Sequence, residues 1–224
     1  MTSPTATDSS STFNPAARMK GDERREQILE AAVNLFAKRG FSGTTTKQIA
    51  QAAGVSEAMV FRHFETKEAL YGAIIDRQVC QSSSSDHCFP WENDAVLRTA
   101  IESKDDFSVF YLIGLRALEK HQSDVEFMRL LFFSALEEHD LAERFFNEFV
   151  ATVYDFIGGY IKQRQLDGAM RDVKPKVAVR AFIGMLIHHS LNNILWDKNR
   201  RLLKISNDEA ARNFAEILLK GISK

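Results

Sequence analysis

An all-α fold is what this sequence predicts, on three grounds. Apolar residues recur at helical spacing over long stretches, no run alternates apolar and polar residues between turn signals, and only four prolines interrupt the 224 residues. The chain is long enough to bury a substantial core, and its hydrophobic and charged fractions are those of an ordinary globular protein.

Residues 1–19 read as a disordered tail, rich in Ser and Thr and without the continuous apolar stretch of a secretory signal. A first helix is expected over Asp22–Arg39, with Ile28, Ala32, Leu35 and Phe36 on one face, stopped by Gly40 in a left-handed turn. Thr46 is the expected N-cap of a short second helix carrying Ile49 and Ala50. Gly54 then allows a tight turn, and Ser56 caps a third helix, Glu57–Phe64, with Val60 and Phe64 inward. Thr66 caps a fourth helix running towards Cys80. These elements define a head over 20–72, followed by a helical domain over 73–224.

Gln81–Trp91 is a loop by composition. Beyond it the periodicity predicts five or six helices, five of them placed at about 106–120, 123–137, 140–165, 175–197 and 207–221. The segment 106–120 aligns Phe107, Phe110, Tyr111, Gly114, Leu115 and Leu118. The segment 140–165 aligns Leu141, Phe145, Phe149, Val153, Phe156 and Tyr160, and Gly168 with Lys174-Pro175 separates it from the next helix. Ser206 or Asn207 caps the last one.

Charge and motifs narrow the function classes. Residues 18–80 carry ten Lys or Arg against eight Asp or Glu, a surplus of +2, whereas 81–224 carry nineteen against twenty-one. A polyanionic partner therefore has to be argued from placement and not from totals. No apolar run approaches the roughly eighteen residues of a membrane span, so no membrane partner is expected and a cytoplasmic location is. Cys80 and Cys88, with His87 between them, supply three soft ligands at most, short of a structural zinc set, and two ordinary thiols are the plainer reading. No metal or cofactor is expected. There is no phosphate-binding glycine loop, GxSxG elbow or HExxH pair, so the chain does not read as an enzyme.

The segment TTKQIAQAAGVSEAMVFRHF, residues 45–64, encodes helix, glycine-containing turn and helix, the arrangement that reads DNA. A short helix anchored from beneath fits a major groove about 12 Å wide. Ser56, Glu57 and Ala58 would face base edges, and Glu57 would either accept from a cytosine amino group or complement the helix dipole. Thr45, Thr46, Lys47, His63 and Lys67 surround that helix with groups suited to phosphate, with Arg24 and Arg25 nearby. Each cation alone is a solvated surface side chain; their joint placement carries the reading.

Residues 22–71, from helix one ending in LFAKRGF through TTTKQIA and AGVS to FRHF and KEALY, resemble the N-terminal domain of the tetracycline-repressor (TetR) family. The resemblance implies a ligand-responsive homodimeric transcription regulator, usually a repressor, whose heads bind a palindromic operator on double-stranded DNA. It places Thr45, Thr46, Lys47, Ser56, Glu57, Ala58, Phe61, His63 and Lys67 where relatives touch DNA. Phe61 departs from the Tyr common in the family and lacks its phosphate-reaching hydroxyl.

The aromatic helices of the second domain are either plain core or, as the resemblance implies, the walls of an effector pocket for a small hydrophobic or aromatic molecule. Phe107, Phe110, Tyr111, Phe127, Phe149 and Tyr154 are its candidate lining. The resemblance also implies dimerisation through the last two helices. The sequence permits it, with Ala178, Ala181, Met185, His188, Asn192 and Leu195 on one face and Ala211, Phe214 and Leu218 on another. Adjacent His188 and His189 point in different directions and read as hydrogen-bonding groups. The rival readings are a helical ligand-binding or interaction protein with weak DNA affinity, and a helical enzyme using the aromatic cavity.

Overall fold

The structure, a computed structural model, describes residues 15–80 and 94–224, without the side chains of residues 15–20, 78–80 and Leu141. The expected tail up to residue 14, the Gln81–Trp91 loop, His87, Cys88 and the thiol of Cys80 lie outside the described residues.

Helix α1 spans Pro15–Arg39 and so begins seven residues before the expected Asp22, with Pro15 at a position that loses no intrahelical hydrogen bond. It ends where expected. Gly40 has φ +71° and its N–H donates to the Phe36 carbonyl at 2.9 Å. Helices α2 (Thr46–Ala52) and α3 (Glu57–His63) come next, joined through Gly54 at φ +64°. The N-cap of α2 is Thr45 and not Thr46. The Thr45 hydroxyl accepts from Gln48 N–H while the Gln48 side chain accepts from Thr45 N–H, a reciprocal pair that only this register allows. Helix α4 covers Lys67–Cys80, with Thr66 accepting from Ala69 N–H at 3.0 Å.

The second domain holds α5 (Ala95–Glu102), α6 (Asp106–Ser123), α7 (Val125–Leu136), α8 (Asp140–Phe145), α9 (Ala151–Leu166), α10 (Pro175–Leu191) and α11 (Asn207–Ile222). Helix α5 coincides with none of the five expected segments; two turns are too short for a periodic pattern, and Asp94 starts it by accepting from Val96 and Leu97 N–H. The expected 140–165 helix is broken by a π-helical turn at Phe146–Val150, and that at 175–197 ends in another at Asn192–Trp196. The widened turn at Phe146–Val150 rotates the phase of α9 relative to α8. Phe145 therefore packs against the head core, whereas Ile157 and Ile161 become the buried face of α9.

Two cores result. The first joins Ile28, Phe36, Ile49, Val60, Leu70, Tyr71 and Ile74 of the head with Phe127 and Leu130 of α7. The second joins α5, α6, α9, α10 and α11 around Phe110, Val179, Phe182 and Ala211. Helix α7 is thus the strut between head and body. At its far end the Glu137 carboxylate accepts from Phe41 N–H at 2.9 Å. The N-terminus of α6 is fastened to α9 by Asp106, which accepts from Tyr160 Oη at 2.6 Å and from Arg164 Nε at 2.7 Å. Among the described residues no helix is long and apolar enough to cross a membrane.

Candidate nucleic-acid interface

Helix α3 is held from below and open above. Val60 is 1% and Phe64 4% exposed within the head core, and Val55 packs against the same core. Burying that face orients the opposite one outward, and Ser56, Ala58, Phe61 and Arg62 are all exposed, Phe61 at 45%. Ser56 starts the helix by accepting from Met59 N–H at 3.2 Å. The face is short, convex and flanked by the start of α2, the shape a major groove admits.

The flanking groups are less uniform than their sequence suggests. Thr45 and Lys47 are exposed at the N-terminal end of α2, where free backbone N–H groups favour an anion. Thr46 and Glu57 are half-buried because they bond each other: the Thr46 hydroxyl donates to the Glu57 carboxylate, tying the first residue of α2 to the first of α3. Lys67 is half-buried too. Its ammonium donates to the carbonyls of Phe41 and Thr44 at 3.0 and 3.1 Å and lies 4.0 Å from the centre of the Phe41 ring. It therefore staples the α1–α2 loop, and one of its three N–H groups is left over. His63 is half-buried beside Phe64, and the Arg25 guanidinium covers the Phe64 ring at 5.0 Å. Arg62, exposed in the last turn of α3, adds a cation to the same outward face that sequence reasoning did not name. Its only signal is its place on the outward side of FRHF.

Comparison with known proteins bears on this region first. Residues 28–74 match the family model described as bacterial regulatory proteins, tetR family. The chain carries a tetR-family head. The HTH-type transcriptional activator FasR of Mycolicibacterium smegmatis is 37% identical over 93 residues, which are 40% of this chain and 42% of that protein. The HTH-type transcriptional repressor Rv3405c of Mycobacterium tuberculosis is 44% identical over 70 residues, 29% of this chain and 37% of that protein. The matches thus span less than half the length of either relative. The crystal structure of NalD, the secondary repressor of the MexAB-OprM multidrug efflux pump in Pseudomonas aeruginosa, superposes with a TM-score of 0.65 over 92% of this chain and 98% of its own, at 22% identity. The fold behind the tetR-family head is therefore shared as well.

The six aromatic candidates do not gather around one space. Phe110 is closed in the body core against Phe182 and Tyr160, and Phe107 stacks on Tyr111, whose hydroxyl donates to Asp208. Phe127 belongs to the core shared with the tetR-family head and meets Phe145, which stacks on Phe149. Tyr154 lies half-buried near Arg180. A cavity of about 290 Å³ lies elsewhere, among Leu118, His121, Val125, Arg129, Ser190 and Arg200, and none of the six lines it. Within it His121 Nδ1 is 2.9 Å from Ser190 Oγ, and burial pushes the His121 imidazole down to about 4. An adjoining groove of about 370 Å³ runs between α1, α7 and the end of α10, and Arg129 and Ile194 line both spaces. Among the described residues no group of three or more His, Cys, Asp or Glu is placed to hold a metal ion.

The expected dimer face divides in two. Ala181, His188 and Leu195 are exposed, and Met185, Asn192 and Phe214 are half-buried. Leu218, Ala178 and Ala211 turn inward instead, at 5%, 6% and 0% exposure, because those sides of α10 and α11 close the body core. The outward apolar residues that the helical register substitutes are Val177 and Ile217.

Proposed function

We propose that the chain is a homodimeric, sequence-specific DNA-binding transcription regulator, a repressor released from a palindromic operator by a small effector. One observation carries the reading: the exposed face of α3, anchored by Val60 and Phe64 and ringed by Thr45, Lys47, His63 and Lys67. Ser56, Ala58 and Phe61 meet base edges or the thymine methyl, Glu57 holds α2 against α3 behind them through its bond to Thr46, and Arg62 reaches the backbone beside them. The relatives FasR and Rv3405c, one an activator and one a repressor, are alike HTH-type transcription regulators, which supports the reading. Two heads are needed because half-sites on one side of the duplex repeat roughly every 34 Å. The outer surfaces of α10 and α11, with Val177, Ala181, His188, Leu195 and Ile217 exposed, supply the face through which a second copy completes the pair.

Release depends on the strut. Val125 and Arg129 of α7 line the cavity, Phe127 and Leu130 of the same helix lie in the head core, and Glu137 holds Phe41. A ligand that draws α7 towards α10 tilts the head, and a few ångströms of altered spacing cost one head its contacts. That is coupling through different affinities of two states. Work on chromosomal DNA also places the protein in the cytoplasm.

Selection of bound sequences from random duplex DNA tests this. The expected product is an inverted repeat, with an affinity that falls steeply with salt. Absence of enrichment, or a single non-repeated site bound by one chain, would overturn it.

A further inference from the structure

We infer that the cavity between α6, α7 and α10 binds an amphipathic carboxylate, a molecule with one anionic head and a small apolar body. The inference deepens the effector reading above and departs from the hydrophobic or aromatic ligand that the sequence suggested. The cavity has two unlike sides. Leu118, Val125 and Ile194 make an apolar wall, whereas Arg129, Lys198 and Arg200 bring three cations, and no Asp or Glu is among the lining residues.

Those cations lack an internal counter-charge. Among the described residues no carboxylate comes within ion-pair distance of Arg129, Lys198 or Arg200, whereas Arg116, Arg144, Arg164 and Arg212 of the body each have one. Asp197, beside Lys198 in sequence, is the obvious candidate partner. Its carboxylate is spent on the backbone N–H groups of Arg201 and Leu202, at 2.7 and 2.8 Å. Asp197 thus shapes the loop that presents Lys198 and Arg200 and does not neutralise it. The Arg200 guanidinium makes one long hydrogen bond among the described residues, 3.4 Å to the Ile205 carbonyl.

The remaining polar groups are already matched among themselves. His121 pairs with Ser190, and Asn193 donates to His189 Nε2 at 3.0 Å. Burial lowers the pKa of both imidazoles, so they add no charge to the cavity near neutral pH. The cavity therefore leaves positive charge unsatisfied, facing an apolar wall. An arginine fork recognises a carboxylate through paired hydrogen bonds, and the wall takes the hydrocarbon. The wall itself is specialised: Asn193 and Ile194 enter it from the π-helical turn at Asn192–Trp196, an irregularity that often marks ligand sites. The volume sits at the small end for ligand pockets, which favours a compact molecule.

Calorimetric titration of the full chain tests this with hexanoate and phenylacetate, their primary amides, acetate and inorganic phosphate. Saturable binding of at least one of the two amphipathic acids below about 10 mM is expected, with its amide, acetate and phosphate each at least about tenfold weaker. Arg129→Met should weaken the acid by about tenfold or more and leave the amide unchanged. Lys198→Met, on an exposed loop residue whose loss does not threaten folding, should weaken the acid by several-fold. The inference falls if neither acid binds, if amide and acid bind alike, if phosphate equals the acids, or if both substitutions leave acid binding intact. Selection of DNA sequences without any ligand reads the regulator separately. A clear operator with no carboxylate binding sinks only this inference, and carboxylate binding with no operator sinks only the regulator.

Discussion

Glu137, the first residue beyond α7, accepts a hydrogen bond from the Phe41 N–H at 2.9 Å, and its carboxylate fills the space that a Cβ on Gly40 would need. Head and body thus meet at a contact that requires both an acid and a glycine. Gly40→Ala should cost about 1–3 kcal/mol, from the positive φ and the collision together. In a Glu137→Ala background only the φ cost of about 1 kcal/mol should remain. Urea unfolding of the four proteins checks this, and strictly additive costs would show that the carboxylate does not occupy that space.

Glu57 reads as a spacer between α2 and α3 once its bond to Thr46 is seen. Glu57→Ala and Thr46→Val should each weaken operator binding roughly equally across all sequences, by about threefold to tenfold. Their selected consensus should match the parent. A changed base preference at one position per half-site would make Glu57 a base reader.

Lys67 has two attachments inside the head and one N–H group free for phosphate. Lys67→Ala should therefore lower stability by about 1–2 kcal/mol and also flatten the salt dependence of DNA affinity by about one unit. Loss of stability with an unchanged slope would confine the residue to stapling the α1–α2 loop.

His121 makes stability depend on pH. Its folded pKa, about 4, lies below the ordinary 6.5 because burial disfavours the imidazolium. The unfolded chain therefore binds the extra proton first. The contribution is complete above pH 6.5 and is lost as pH falls from there towards 4, by about 2 kcal/mol between pH 7 and pH 5. His121→Gln should remove that part of the slope. Equal pH dependence in parent and variant would show the ring reaches water.

Ile217, 58% exposed on α11, lies on the outer face assigned to the second copy. Ile217→Glu should raise the dimer dissociation constant by about a hundredfold or more while leaving the helical content intact, as sedimentation and circular dichroism would show. An unchanged assembly state moves the interface elsewhere.

The residue order by itself determined local features: helix type, the stops at Gly40 and Gly54, the cap at Ser56, and the pairing of Val60 with Phe64 under an outward face. These are set by periodicity, capping chemistry and backbone freedom, all within a few residues of one another. Tertiary packing decided the rest. It sent Leu218 inward and left Ile217 outside, a difference of one position on a helix whose partner, α6, lies about a hundred residues earlier in the chain. It drew Lys67 onto carbonyls and turned Glu57 towards Thr46. It also closed Phe110 into core while gathering Arg129, Lys198 and Arg200 around one space. No periodicity encodes such meetings, because each depends on where separate helices come to rest against each other and not on the spacing within any one of them.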